Sequence, residues 1–133
     1  MNSKDYIQDA IKTESRDFES MNNRLGDDGM KRLLHAGIGL STESGEFLDA
    51  LKKHIFYGKD LDRVNLAEEI GDLFWYLAIA SDELNIDFES VMARNIEKLK
   101  ARYGEKFSET KADSRDLNRE RTILEKQNFT QEN

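Results

Sequence analysis

Apolar residues recur along this chain at spacings of three and four, which is the period of helices; no strand pair stands out. Ile7, Ala10, Ile11, Phe18 and Met21 form one stripe and predict a first helix from Ser3 to about Met21. The run Asn22 to Gly29 follows. Its two glycines and four Asn or Asp residues predict a loop. Leu33, Leu40, Phe47, Leu51 and Ile55 predict a second helix from about Met30 to Phe56, with Gly58 as its stop signal. Asp60 or Asp62 can cap a third helix carrying Leu66, Ile70, Leu73, Leu77 and Leu84. Asn85 or Asp87 then opens a fourth, with Phe88, Val91, Met92, Ile96, Leu99 and Tyr103 on one face and Gly104 at its end. Beyond Gly104 the chain is very polar. Asp113 to Lys126 can form one more helix, as a clasp on a partner subunit or a frayed tail. The expected architecture is an all-α bundle of four main helices over residues 1–104, with a polar, partly helical tail over 105–133, completed by oligomerisation.

Composition sharpens this picture. The 133 residues suit one domain, and the complete absence of proline removes the main helix breaker. With no cysteine there is no disulfide scaffold, thiol catalysis or thiolate zinc site. The longest apolar run, Leu73 to Ala80, is too short to cross a bilayer, and Met1 to Asp5 leads into no secretory signal. A cytoplasmic protein without membrane contact is expected, in which the sequon Asn128-Phe129-Thr130 carries no meaning. The net charge of −7 argues against a nucleic-acid partner, because phosphate neutralisation needs a surplus of Lys and Arg.

The candidate chemistry lies in four carboxylates. Glu43-x-x-Glu46 falls in the second predicted helix and Glu69-x-x-Asp72 in the third. Residues three apart share a helix face, so each pair presents its oxygens to one side. On a helical wheel both pairs take the same flank of their apolar stripe. A short loop makes the two helices antiparallel neighbours, and counting outward from it puts the pairs at about the same height. They either face each other or both face away. If they face each other, the four acids repel unless a cation lies between them, and hard oxygen ligands suit Mg²⁺ or Mn²⁺. Solvated acids on a helix surface are the plainer alternative. Gly39, Gly45 and Gly71 sit inside these helices at a cost of about 1 kcal/mol each against Ala, which close approach of a helix or ligand would explain.

Cations complete the set. Asn95, Lys98 and Arg102 form a strip on the fourth helix, and Lys53 shares the strip of Glu46; an amide, ammonium and guanidinium groups suit phosphate oxygens. Snorkelling beside the core is the alternative for them. His35 lies on the Glu46 strip as well, where a structural role is the plainer reading.

Glu43-Ser44-Gly45-Glu46 followed by Glu69-Ile70-Gly71-Asp72 resembles the ExxE…ExxD signature of the MazG-like nucleoside triphosphate pyrophosphohydrolases. The similarity extends to His35 through Leu40, Phe47 through Lys53, Phe56-Tyr57-Gly58-Lys59, Asn65-Leu66, Leu73 through Leu77, Asn95 through Tyr103 and Arg115 through Arg121, roughly residues 31 to 125. The resemblance implies an all-α homo-oligomer, dimer or tetramer, that binds Mg²⁺ through Glu43, Glu46, Glu69 and Asp72. It implies hydrolysis of a nucleoside or deoxynucleoside triphosphate between its α- and β-phosphates. Beside such a metal site the strips of Lys53, Asn95, Lys98 and Arg102 are expected to contact the substrate phosphates, and His35 is either a nucleotide contact or a structural histidine. Glu46 or Glu69 is the expected catalytic base toward water.

Two other classes compete. A carboxylate di-iron bundle wants Glu-x-x-His on two helices, and here the fourth position of each motif is Glu46 or Asp72. A non-catalytic helical interaction module would leave the acids merely solvated.

Overall fold

The computed structural model describes residues 2–104 and 106–125. Glu105 and the end of the tail, residues 126–133 with Lys126 and the Asn128 sequon, lie outside the described residues. Seven α-helices and a short 3-10 turn, with no strand among the described residues, make this an all-α protein.

Aspartates begin most of these helices. A short carboxylate accepts the amide donors that an N-terminus leaves open, and its charge complements the helix dipole. Helix α1 (Ser3–Ala10) is capped instead by Asn2, and the 3-10 turn Ile11–Thr13 follows it. Asp17 accepts from Ser20 N at 3.1 Å to start α2 (Phe18–Leu25). Asp27 accepts from Met30 N at 2.7 Å to start α3 (Asp28–Tyr57), the longest helix. Gly58, at φ 65°, takes the left-handed conformation that ends α3. Asp62, of the two candidate caps, accepts from Val64 N and Asn65 N, both at 3.0 Å, and starts α4 (Arg63–Glu83). Asn85 closes that helix at φ 48°, a conformation Asn tolerates, so Asp87 is left as the cap of α5 (Phe88–Tyr103). The tail forms α6 (Glu109–Asp113) and α7 (Leu117–Leu124), the latter capped by Asp116.

Two local expectations are corrected. The single helix from Ser3 to Met21 is broken, because Glu14 turns extended after Thr13 and Asp17 opens a new helix. The spacing of Ile11 and Phe18 fits a helix, but the five polar residues from Lys12 to Arg16 carry no apolar contact to hold one there. Likewise Asn22 to Leu25 are helical, and the loop before α3 shrinks to Gly26 and Asp27, because the cap at Asp27 begins α3 at once.

The α3–α4 antiparallel hairpin is the main packing unit. Arg32 near the start of α3 pairs with Asp82 at 2.5 Å and Glu83 at 2.7 Å near the end of α4, an exposed link across the open end of the hairpin. Ala36 and Gly39 are buried in the seam. Among the described residues Ala36 is the one buried apolar side chain; Leu34, Ile38, Leu48, Ile55, Phe56, Ile70, Phe74 and Trp75 are exposed. Helix α5 packs chiefly on α6 and α7 and meets α4 through an edge-on pair of Phe74 and Phe88, with ring centres 6.4 Å apart. The one helix expected over Asp113 to Lys126 is corrected too: α6 ends at Asp113, α7 begins only at Leu117, Lys126 lies outside the described residues, and α7 packs on α5 of its own chain. Glu120 of α7, 6% exposed, receives Arg102 of α5 at 2.7 and 2.5 Å and Arg115 at 2.9 Å.

Candidate active site

Three of the four motif acids of α3 and α4 meet across the seam, and Glu46 is not among them. Oxygens of Glu43, Glu69 and Asp72 all lie within 4.8 Å of one another. The short turn from Gly58 to Asp62 and the close approach of Gly39 to the Tyr76 ring set the two helices at the height that brings these residues level. Glu69 is buried, at 4% exposure; Glu43 is half-buried and Asp72 exposed. Burial pushes the Glu43 carboxyl above its ordinary value, and the charges of Glu46, Asp72 and Glu69 push it further the same way. Glu46 thus belongs to the same electrostatic neighbourhood while standing outside the tight triad.

A cleft of about 680 Å³ opens beside this cluster. Its walls include Glu46, Asp49 and Lys53 from α3, Lys59, Asp60 and Asp62 from the turn, and Asn65 and Glu69 from α4. Lys53 reaches the cleft as the sequence suggests, but its ammonium is held by Asp49 at 2.7 Å. Lys52 and Lys53 together hold the Asp49 carboxyl down to about 2. Lys59 has no ion pair among the described residues. Its backbone is fixed twice, by its own N–H on the Lys53 carbonyl at 3.2 Å and by His54 Nδ1 donating to its carbonyl at 2.8 Å.

The other expected contacts lie elsewhere. His35, two turns before Glu43, packs edge-on against Tyr76 and Trp75, with centroids at 5.6 and 6.2 Å. Asn95, Lys98 and Arg102 do not line the cleft, and Arg102 is engaged by Glu120. Of the mid-helix glycines, only Gly39 meets its own chain: a Cβ there would overlap the Tyr76 ring. Gly45 and Gly71 face open space, Gly45 on the cleft wall.

Sequence reasoning missed Asn65 and Lys59 as site residues. Asn65 Nδ2 donates to Glu69 Oε1 at 2.7 Å. The signal was present, since Asn65 lies one turn before Glu69 and so on its face. Lys59 is not readable by helix periodicity, because it sits on the turn after the left-handed Gly58.

Between two antiparallel helices of an all-α chain, beside a polar cleft, the carboxylates of Glu43, Glu69 and Asp72 make up a donor set that could hold a divalent cation. The model of the MazG nucleotide pyrophosphohydrolase domain matches residues 34–107, and the chain belongs to that family. The chain is also similar to the Gene 37 protein of Mycobacterium phage L5, 34% identical over 80 residues that cover 56% of this chain and 69% of the relative. No solved structure matches the chain.

Proposed function

We propose that this protein hydrolyses a nucleoside or deoxynucleoside triphosphate to the monophosphate and pyrophosphate, with Mg²⁺ or Mn²⁺ as its cofactor. The observation that carries the proposal is the convergence of Glu43, Glu69 and Asp72 within 4.8 Å across the α3–α4 seam, in a chain of this family. The donor set is all carboxylate oxygen, partly buried, which fits a hard divalent cation and not a soft one. It contains no histidine, which disfavours the di-iron alternative. When bound, the cation offsets the negative charge that gathers on phosphate oxygens during the reaction.

The chain's own residues divide the remaining work. Glu46 lines the cleft outside the tight triad and is the better placed of the two candidate bases to orient a water and accept its proton. Lys59 supplies positive charge to the phosphates, and Lys53 does so less, because it is shared with Asp49. Asn95, Lys98 and Arg102 remain substrate contacts only if α5 of a second copy is brought to the cleft. His35 acts through the aromatic group it forms with Trp75 and Tyr76. The protein is a homo-oligomer, since the exposed apolar residues of α3 and α4 are too many for a surface in water.

A screen of all common ribo- and deoxynucleoside triphosphates with Mg²⁺, scoring monophosphate and pyrophosphate, tests the activity. The expected result is one or a few substrates cleaved to equimolar monophosphate and pyrophosphate, with activity abolished by chelation. Release of orthophosphate alone, or no turnover of any triphosphate, overturns the proposal. Sedimentation at micromolar concentration tests the assembly, and a monomer refutes it.

A further inference from the structure

Glu69 is the most buried of the cluster's carboxylates, and one of its oxygens is already occupied. Asn65 Nδ2 donates to Oε1 at 2.7 Å, one turn earlier on the same helix. Asn65 is itself held in place. Its backbone N–H donates to the Asp62 carboxylate at 3.0 Å, so the residue sits in the first turn of α4 with its main chain tied to the cap and its side chain to Glu69.

A carboxylate on a glutamate stem has three rotatable bonds, and a free one samples many orientations. A hydrogen bond from a half-buried amide restricts that freedom and leaves the second oxygen, with the remaining lone pair of the first, to face a cation. The amide suits this task because it is neutral. A lysine there would form an ion pair and compete with a cation, and an aspartate would add repulsion to a cluster in which the Glu43 carboxyl already feels three neighbouring acids. Asn65 and Glu69 both line the cleft wall, so the hydrogen bond lies beside the cleft.

We infer that Asn65 is a positioning residue for the divalent cation: it holds the Glu69 carboxylate ready for the metal and acts on the reaction only through it. The inference rests on the metal-dependent function proposed above. A purely helix-supporting role for Asn65 predicts a change in helix stability with metal affinity unchanged.

Calorimetric titration of the full chain with Mg²⁺ and with Mn²⁺, without nucleotide, separates these roles. Asn65→Ala should bind either ion about 10- to 100-fold more weakly than the wild type, the usual effect of removing a partner that orients a metal ligand. Its helical circular dichroism should be unchanged. Asn65→Gln, which keeps the amide donor at a longer reach, should recover part of the affinity. In the turnover assay the Asn65→Ala defect should shrink as the metal concentration rises, while the KM for nucleotide at saturating metal stays near the wild-type value. Equal metal affinity in wild type and Asn65→Ala overturns the inference and leaves the proposed function standing. No metal binding by the wild type overturns both. Should Asn65→Ala lose helical signal, the Asn65→Gln titration decides, and an affinity no better than that of Glu69→Gln counts against the inference.

Discussion

Gly39 and Tyr76 set how closely α3 and α4 approach, one turn away from the carboxylate cluster. Gly39 lies four residues before Glu43, and Tyr76 four residues after Asp72, so each is about 6 Å along its helix from a cluster member. A Cβ at Gly39 would overlap three atoms of the Tyr76 ring. That ring cannot simply swing aside, because Trp75 stands edge-on at 4.8 Å and His35 at 5.6 Å. Gly39→Ala therefore has to spread the two helices or displace an aromatic cluster. Overpacking of this kind costs about 1–3 kcal/mol, and the rigidity of the ring puts it near the top of that range. Ala returns about 1 kcal/mol through its better helix propensity. The net loss is about 2 kcal/mol, or roughly 7 °C in Tm for a chain of this size. Gly37 provides the control. It is on the same helix, is exposed, and a Cβ there meets nothing within 4 Å. Gly37→Ala should gain up to about 1 kcal/mol and raise Tm by roughly 3 °C. Thermal melts of the two variants read the difference directly, and a Mg²⁺ titration of Gly39→Ala should show weaker binding, since the seam opens beside Glu43 and Asp72. If both variants melt alike, or Gly39→Ala binds metal as the wild type does, the seam does not hold the cluster in register.

Neutralising one member of the cluster, in Glu69→Gln or Asp72→Asn, should lower turnover by roughly two orders of magnitude or more while leaving the metal-free protein as stable or more so. Mg²⁺ should raise the wild-type Tm and raise the variants' less, and full activity in both variants would exclude the site. Lys59→Gln should raise the KM for nucleotide about tenfold or more, and Lys53→Gln should raise it less; equal effects in steady-state kinetics would contradict the difference in their ion pairing. Arg102, and after it Arg115, hold the Glu120 carboxyl down to about 2 from its ordinary 4.5. A depressed carboxyl adds stability above its unfolded value, and that stability is lost as the pH falls through the folded one. The urea midpoint of the wild type should thus exceed that of Glu120→Gln at pH 6, with the gap closing between about pH 4.5 and about 2; a constant gap would refute it.

The helices were readable where punctuation and periodicity agreed. Gly58 and Asp62 bound the α3–α4 turn to within five residues, so the antiparallel pairing and the common height of the two acidic motifs followed from counting. Where the stripe ran on across polar residues, as from Ile11 to Phe18, periodicity joined two helices that the chain keeps apart. It carries no information on whether an apolar face finds a partner. The cap at Asp17, accepting from Ser20 N, decided that break, and a capping aspartate looks in sequence like any other surface acid.

The candidate site divides along the same line. Glu43, Glu69 and Asp72 belong to one hairpin, and their meeting depends on a turn of five residues and one glycine-to-ring contact, both local to that hairpin. Asn95, Lys98 and Arg102 belong to α5, whose position depends on a ring pair with Phe74 and on the tail that folds back upon it. A wheel places those three residues on one strip of α5 correctly, yet a strip has no target until the helix is docked. Arg102 shows the consequence: Glu120, eighteen residues on, claims the guanidinium that spacing alone offered to a phosphate. Lys59 shows the converse. Outside any helix it has no periodicity to be noticed by, but the left-handed Gly58 and the His54 hydrogen bond place it on the cleft wall. Positive charge for a nucleotide in this chain is therefore sought first on the turn that joins the two acidic helices, where the same residues that bring the carboxylates level also bring the lysine.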